Sequence, residues 1–549
     1  MSRPRILLVG GAGVFGSRLA RGLVDTANAE IILAGRDLEK AKAAARQTGA
    51  ASAVALDRRA ASAGEIAALN VQLVIDTAGP FQGADLSFAR TCIEAGCDYI
   101  DLADARDFVA AFPSLDAEAR AAGVRAFAGA SSTPALSHAA LDELTAGWRR
   151  IDRVQVGISP ANQTPRGRSV IDAILSWAGA PVRVFERGAW RERPGWSGGT
   201  FHTLPGIGAR RFRLAETPDL DLLVQRYRPT DEALMTAGLE FDLMHFGLWG
   251  VSWLRRLGLI RDLRVLAPML HGVSEMLLPF GSDAGGMFVE AWGRDADDKP
   301  VRAEWTLVIG DRKGPYVPTL PALAMARRLL SGEAIPAGAR ACVGELRLTD
   351  VRADFESHGM VTRSVVDPLR SPFEMALASF ATLPEAVQRA HRAGPVVHFS
   401  GTAEVDGASG LAAIAARLFG FPRSANAAPV TVEKRTLAQG REIWTRSIGG
   451  SRFRSDICYK SPGMVTERFG PFAFDLALSA GPEGHVMRIV GWRIGVLPLP
   501  RFLAPKSVAA ESQTAAGRFA FDVPISAPLL GRLTRYRGEL DQSSHTDRT

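Results

Sequence analysis

Seven residues near the start, Gly10-Gly11-Ala12-Gly13-Val14-Phe15-Gly16, carry four glycines at a spacing suited to a diphosphate. A diphosphate approaches the backbone closely, which excludes a Cβ, and a helix opening at such a turn points its N-terminal amides at the charge. The glycines satisfy a GxGxxG frame (Gly11, Gly13, Gly16) and a GxxGxxG frame (Gly10, Gly13, Gly16), with Val14 and Phe15 inside both. Twenty residues past Gly16 stands Arg36, where an acid would accept the ribose 2′-hydroxyl of NAD; an arginine there pairs with the 2′-phosphate of NADP. The alternative makes Arg36 a surface residue and Asp37 a helix cap. Asp57 is placed to meet the adenine edge or to cap a turn. Thr77-Ala78-Gly79-Pro80 either leaves room for a cofactor or forms a plain turn.

These positions make sense only on particular elements. Ile6–Val9, Ile31–Ala34, Ala53–Leu56, Leu73–Thr77, Tyr99–Leu102 and Val124–Ala128 read as short apolar strands, with helical stretches between them. Strands apolar on both faces and separated by helices predict a doubly wound parallel sheet of the Rossmann type. The glycine turn then falls between the first strand and a helix whose Phe15, Leu19 and Leu23 share one face.

The segments VGGAGVFG, LAGR, IDTAGPF and YIDLAD resemble the saccharopine dehydrogenase-like oxidoreductases, well over residues 5–140 and more loosely to about 350. The resemblance implies a Rossmann domain binding NADP, a substrate domain, and a chain that returns to pack against the first domain. It also implies hydride transfer to a C=N, C=O or C=C bond. The segment Gly129–Pro134 differs from that of saccharopine reductases, which argues against an amino-acid substrate. None of the five tyrosines has a lysine four residues on, so the Tyr-Lys relay of short-chain dehydrogenases is missing.

Catalytic residues are unassigned. His138 is a proton-donor candidate, with a satisfied helical histidine as the plainer reading; Asp101 and Asp104 could orient substrate or cap a helix. Arg166 and Arg168 at the start of the Ser169–Trp177 helix suit an anion or polar substrate, or simply an exposed loop. No metal-ligand spacing is present. Residues Leu239–Leu257 combine Trp249, Trp253 and many apolar side chains with Arg255, Arg256, Arg261 and Arg264 beyond. This pattern fits a peripheral membrane contact, a lipid-pocket wall or a buried helix.

The predicted α/β architecture is a Rossmann domain (1–131), an α+β substrate domain (132–363), a mainly antiparallel β domain (372–540) and a disordered tail (541–549). Segments such as FSGTAEV, WTRSIGGSRFRS and RFGPFAFDLAL resemble an uncharacterised domain found fused to saccharopine dehydrogenase-like proteins. A net charge of +7 spread along 549 residues, without a basic stripe, argues against nucleic acid. Four scattered cysteines and the lack of a leader-like start fit a cytoplasmic protein, with membrane association open. The expected partner is a small-molecule or lipid-like substrate; a homodimer is compatible with the sequence. Two other functions remain: a non-catalytic NADP(H)-sensing or lipid-binding protein, and an epimerase that holds its cofactor tightly.

Overall fold

The computed structural model describes residues 3–164, 168–418, 420–528 and 530–543. The chain divides into two units, 1–291 with 303–365, and 292–302 with 366–549. In the first unit, strands β1 (Arg5–Val9), β2 (Glu30–Gly35), β3 (Ser52–Ala55), β4 (Leu73–Asp76), β5 (Asp98–Asp101) and β6 (Arg125–Ala128) lie in the order 3-2-1-4-5-6. The apolar runs of β1, β2, β4 and β5 are buried on both faces, as helices on each side require, while the edge strand β3 is not.

Helix α1 (Val14–Thr26) buries Leu19 and Leu23 against this sheet. Helix α2 (Leu38–Thr48) starts where the Asp37 carboxylate accepts from the Lys40 amide at 3.0 Å, and it stops at Gly49 with φ 78°. The chain does return: Gly338–Ala341 adds a seventh strand parallel to β6. The preceding helix Leu320–Leu330 brings Leu323 so close to Gly22 of α1 that a Cβ there would lie 2.8 Å from it.

A second, mixed sheet runs Thr200–Leu204, Gly208–Leu214, Glu232–Gly238, Arg150–Ser159, Gly285–Arg294, Pro300–Ile309, Val361–Pro368. Glu232–Gly238 is parallel to Arg150–Ser159, and a hairpin (Pro181–Glu186, Ala189–Pro194) pairs with its first residues, Glu232 and Ala233. Val361–Pro368 is a strand that runs past residue 363, the expected end of the substrate domain. Helices Arg168–Trp177, Asp242–Arg256 and Ala267–Leu277 complete this region.

The second unit holds an antiparallel sheet of eleven strands, one of them only Leu497–Pro498. The other ten meander from Val397–Gly407 to Gly531–Gln542, and these two pair with each other, so the sheet closes on itself. The mainly antiparallel β domain expected from the sequence is present, and it is closed into a barrel. Inward positions alternate with outward ones, as in the pattern of Ala425–Ala438, and place Trp444, Phe453, Phe474 and Phe519 in the core. The stretch Phe373–Ala393 reads as helical with a new helix opening at Leu383-Pro384-Glu385; it forms Pro372–Ala376, the turn Phe380–Thr382 and the helix Glu385–His391. The closing strand extends to Gln542, two residues into the predicted tail; residues 544–549 lie outside the described residues.

Three groups far apart in sequence meet inside this barrel. The Glu511 carboxylate contacts His391 Nε2 at 2.5 Å and His485 Nδ1 at 3.0 Å, all three buried. Nearby, Lys434 donates to the Ala390 carbonyl at 2.9 Å and faces Glu442 at 3.6 Å, which balances a charge with no exposure at all.

Candidate active site: a cavity between the glycine turn and two apolar helices

β1 ends at Val9 and the chain turns through Gly10, whose φ of +77° suits glycine alone. A Cβ on Gly10 would lie 2.9 Å from Thr77 Oγ1, and one on Gly11 would lie 2.8 Å from Leu33 of β2. At Gly16 a Cβ would clash with the Gly10 carbonyl oxygen and with Thr77. The turn is therefore packed tightly from behind. Its front is open: α1 begins after Gly13 with no side-chain cap and no acid in its first turn. An uncapped helix start with exposed amides suits an anion.

This front faces a cavity of about 1380 Å³. Of the residues expected to hold the cofactor, Gly10, Gly13, Val14, Phe15, Arg36, Asp57, Thr77, Ala78, Gly79 and Pro80 line it. Gly11 and Gly16 do not; they serve the approach of strand and helix. Arg36 lies exposed on the rim and makes no ion pair among the described residues. Lys40 and Arg59, which sequence reasoning did not single out, line the same end. Their signal was available, since both follow the ends of the second and third strands. Arg58 is committed elsewhere: it reaches Asp76 at 2.6 Å and lies over the Phe81 ring.

Away from the glycine turn the cavity becomes apolar. Ile158, Ile171, Ile174 and Leu175 form one wall, Leu243, Met244 and Leu248 a second, and Leu270, Val273 and Leu277 a third. These belong to the 150–159 strand and the three helices of the second region, so the two halves of the unit enclose one space. The polar groups here are few. Ser159 accepts from Arg210 at 3.0 Å, and Ser274 donates to the His271 carbonyl at 2.8 Å. The Thr164 hydroxyl is buried on the wall without a hydrogen-bond partner, and Ser132 stands nearer the turn.

The other sequence candidates lie off the cavity. His138 is fully buried, its two ring nitrogens unpartnered, and burial pushes its pKa down to about 3. Asp101 accepts from the Gly129 and Ala103 amides at 2.7 and 2.9 Å, and burial raises its carboxyl to about 7. Asp104 accepts from Gln82 at 3.0 Å. Residues 165–167, within the predicted anion loop, lie outside the described residues, as does the Arg168 side chain.

Residues 6–127 match the family model of the saccharopine dehydrogenase NADP binding domain. This segment is a domain of that family. The saccharopine dehydrogenase-type domain is therefore a nicotinamide-dinucleotide fold of the dehydrogenase class. Residues 383–540 match a domain of unknown function, DUF4166. Among curated proteins none matches the sequence. Among solved structures, apo saccharopine dehydrogenase (L-Glu forming) from Saccharomyces cerevisiae shares the fold at 15% identity, covering 66% of this chain and 100% of that one with a TM-score of 0.50. Homospermidine synthase from Legionella pneumophila in complex with NAD is also similar, at 13% identity and a TM-score of 0.44, covering 68% of this chain and 93% of that one.

Proposed function

We propose that the protein is an NADPH-dependent reductase acting on a C=N, C=O or C=C bond of an apolar, lipid-like small molecule. One observation carries this reading: a single cavity has bare backbone and free cations at one end and aliphatic walls at the other. The open start of α1 suits the linked phosphates, and Arg36 with Lys40 and Arg59 suits a phosphorylated ribose. NADPH would supply the hydride. The chain's own part is to place the acceptor bond beside it, exclude water with the aliphatic walls, and offer a proton from the Thr164 or Ser132 hydroxyl or from a water held there.

Among the described residues no titratable side chain lines the apolar half, which favours a second reading, a cofactor-dependent lipid-binding protein without turnover. Nucleotide titration followed by NADPH oxidation against enoyl, carbonyl and imine substrates with long alkyl chains separates the two. Tight NADPH binding with turnover supports the reductase. Binding without turnover across the panel gives the second reading, and failure to bind NADPH rejects both.

A further inference from the structure

The walls of the apolar half have a second side. Helices Asp242–Arg256 and Ala267–Leu277 line the cavity with Leu248 and Leu270, yet turn Phe246, Trp249 and Trp253 outward. The connection and the second helix continue the same character: Leu259 is 68% exposed, Val265 68% and Met276 67%, with Phe280 following at 60%. A soluble surface scatters such residues singly, whereas eleven large apolar side chains are exposed here between 243 and 280. Leu243 and Val273 are both exposed and part of the cavity lining, so the apolar surface runs without interruption into the cavity.

The charges at one border of this face are arginines. Arg256 lies over the Trp253 ring at 3.7 Å, and among the described residues neither Arg256 nor Arg261 has a carboxylate partner. Arg264 is paired with Asp262 at 2.8 Å, and Arg255 donates to the Ser176 carbonyl. Tryptophan with unpaired arginine at the edge of an apolar face is the composition of a helix lying in a headgroup layer. No helix among the described residues is long and apolar enough to cross a membrane.

We propose that this two-helix face docks on an anionic phospholipid bilayer and that the cavity takes its substrate, an acyl-chain lipid, from that bilayer. The second half rests on the reductase reading above; the docking itself does not. A bilayer fits better than a second copy of the chain, because a second copy seated on Leu243 and Val273 would seal the mouth through which an apolar substrate must pass.

The full-length protein is sedimented with vesicles of phosphatidylcholine, alone or mixed with phosphatidylglycerol. The expected result is binding to the anionic vesicles that falls steeply with salt. Leu259→Glu with Met276→Glu, and separately Arg256→Glu with Arg261→Glu, should each weaken binding roughly ten-fold or more. These four residues stand off the cavity lining, so NADPH affinity should be unchanged in both variants. An alkyl chain carrying a fluorophore, loaded in the vesicles, should transfer to the wild type and not to the Leu259→Glu/Met276→Glu variant.

Absence of wild-type binding to either vesicle overturns the docking, as does full binding by both variants. A dimer in light scattering that Met276→Glu converts to monomer assigns the face to a second copy and also overturns it. Vesicle binding without transfer of the alkyl probe overturns the substrate route alone. Vesicle binding by a protein that does not bind NADPH leaves the docking standing and rejects the reductase.

Discussion

Arg36 is free to choose between two dinucleotides that differ by one phosphate. A charge-assisted hydrogen bond contributes about 1.5–3 kcal/mol. Arg36→Ala should therefore weaken NADPH at least about ten-fold in calorimetry and leave NADH nearly unchanged. Equal effects on both would place the adenosine ribose elsewhere. Gly16→Ala tests the back of the same turn, since its Cβ must displace the Gly10 carbonyl or Thr77. Both nucleotides should weaken equally, by roughly ten-fold or more, with circular dichroism unchanged. His138 acts on stability. Its folded-state pKa, about 3, lies below the ordinary 6.5. Between those values the unfolded chain takes up the proton and the native chain does not, so stability is lost as pH falls. At pH 5 the loss is about 2 kcal/mol relative to neutral pH. The buried carboxyls of Asp101 and Asp219, raised to about 7 and about 6, act in the opposite sense. The measurement is therefore the difference between wild type and His138→Leu in urea unfolding at pH 5 and pH 7. An unchanged difference would show that the ring is solvated.

At the scale of elements, the Rossmann strands were legible because each is a run of apolar residues bounded by turn residues; the predicted and observed limits differ by one residue. The glycine turn was legible for the same local reason. The strands Ala189–Pro194 and Gly208–Leu214 were not, because AWRERP and GARRFRL are rich in arginine and read as loop, although Arg210 and Arg213 end up buried. The cavity walls were legible only in part. Leu239–Leu257 stood out by composition, but its closeness to Ile174 depends on the pairing of Glu232–Gly238 with Arg150–Ser159, which no local pattern announces. Ion pairs share this non-local character. Arg106, at the start of helix Arg106–Ala111, makes two 2.6 Å contacts with Asp221 of helix Asp219–Tyr227, both side chains nearly buried. Asp221→Ala should cost about 3 kcal/mol in urea unfolding of the full chain, while Asp221→Leu with Arg106→Met should cost less, even though Arg183, 2.8 Å from Asp221, and Glu216, 3.8 Å from Arg106, each lose a partner. Equal losses in the two variants would mean that packing, rather than the unpaired guanidinium, sets the cost.

At the scale of the whole molecule, the sequence pattern marks seven of the barrel's strands and leaves out Met464–Phe469, Lys506–Gln513 and Gly531–Gln542. Closure comes from the pairing of the first strand with the tenth, with the strand tilt and stagger that a barrel requires. Nothing local announces that Phe399 will face Gln542 across more than a hundred residues of chain. The buried Glu511 contacts were invisible for the same reason, since His391, His485 and Glu511 come from a helix and two strands. Lys434 and Glu442 sit only eight positions apart, but their complete burial follows from closure.

That seam between Val397–Gly407 and Gly531–Gln542 also dictates a timetable for synthesis. Every other neighbouring pair in the barrel can form as the chain emerges, hairpin by hairpin, but the first strand must wait for the tenth. Until residue 542 has left the ribosome, the nascent domain carries two raw margins of unpaired amides and carbonyls, each able to recruit a strand from another chain. A translational pause or a nonsense codon before Gly531 should yield aggregate and proteolytic fragments in place of a weakened barrel.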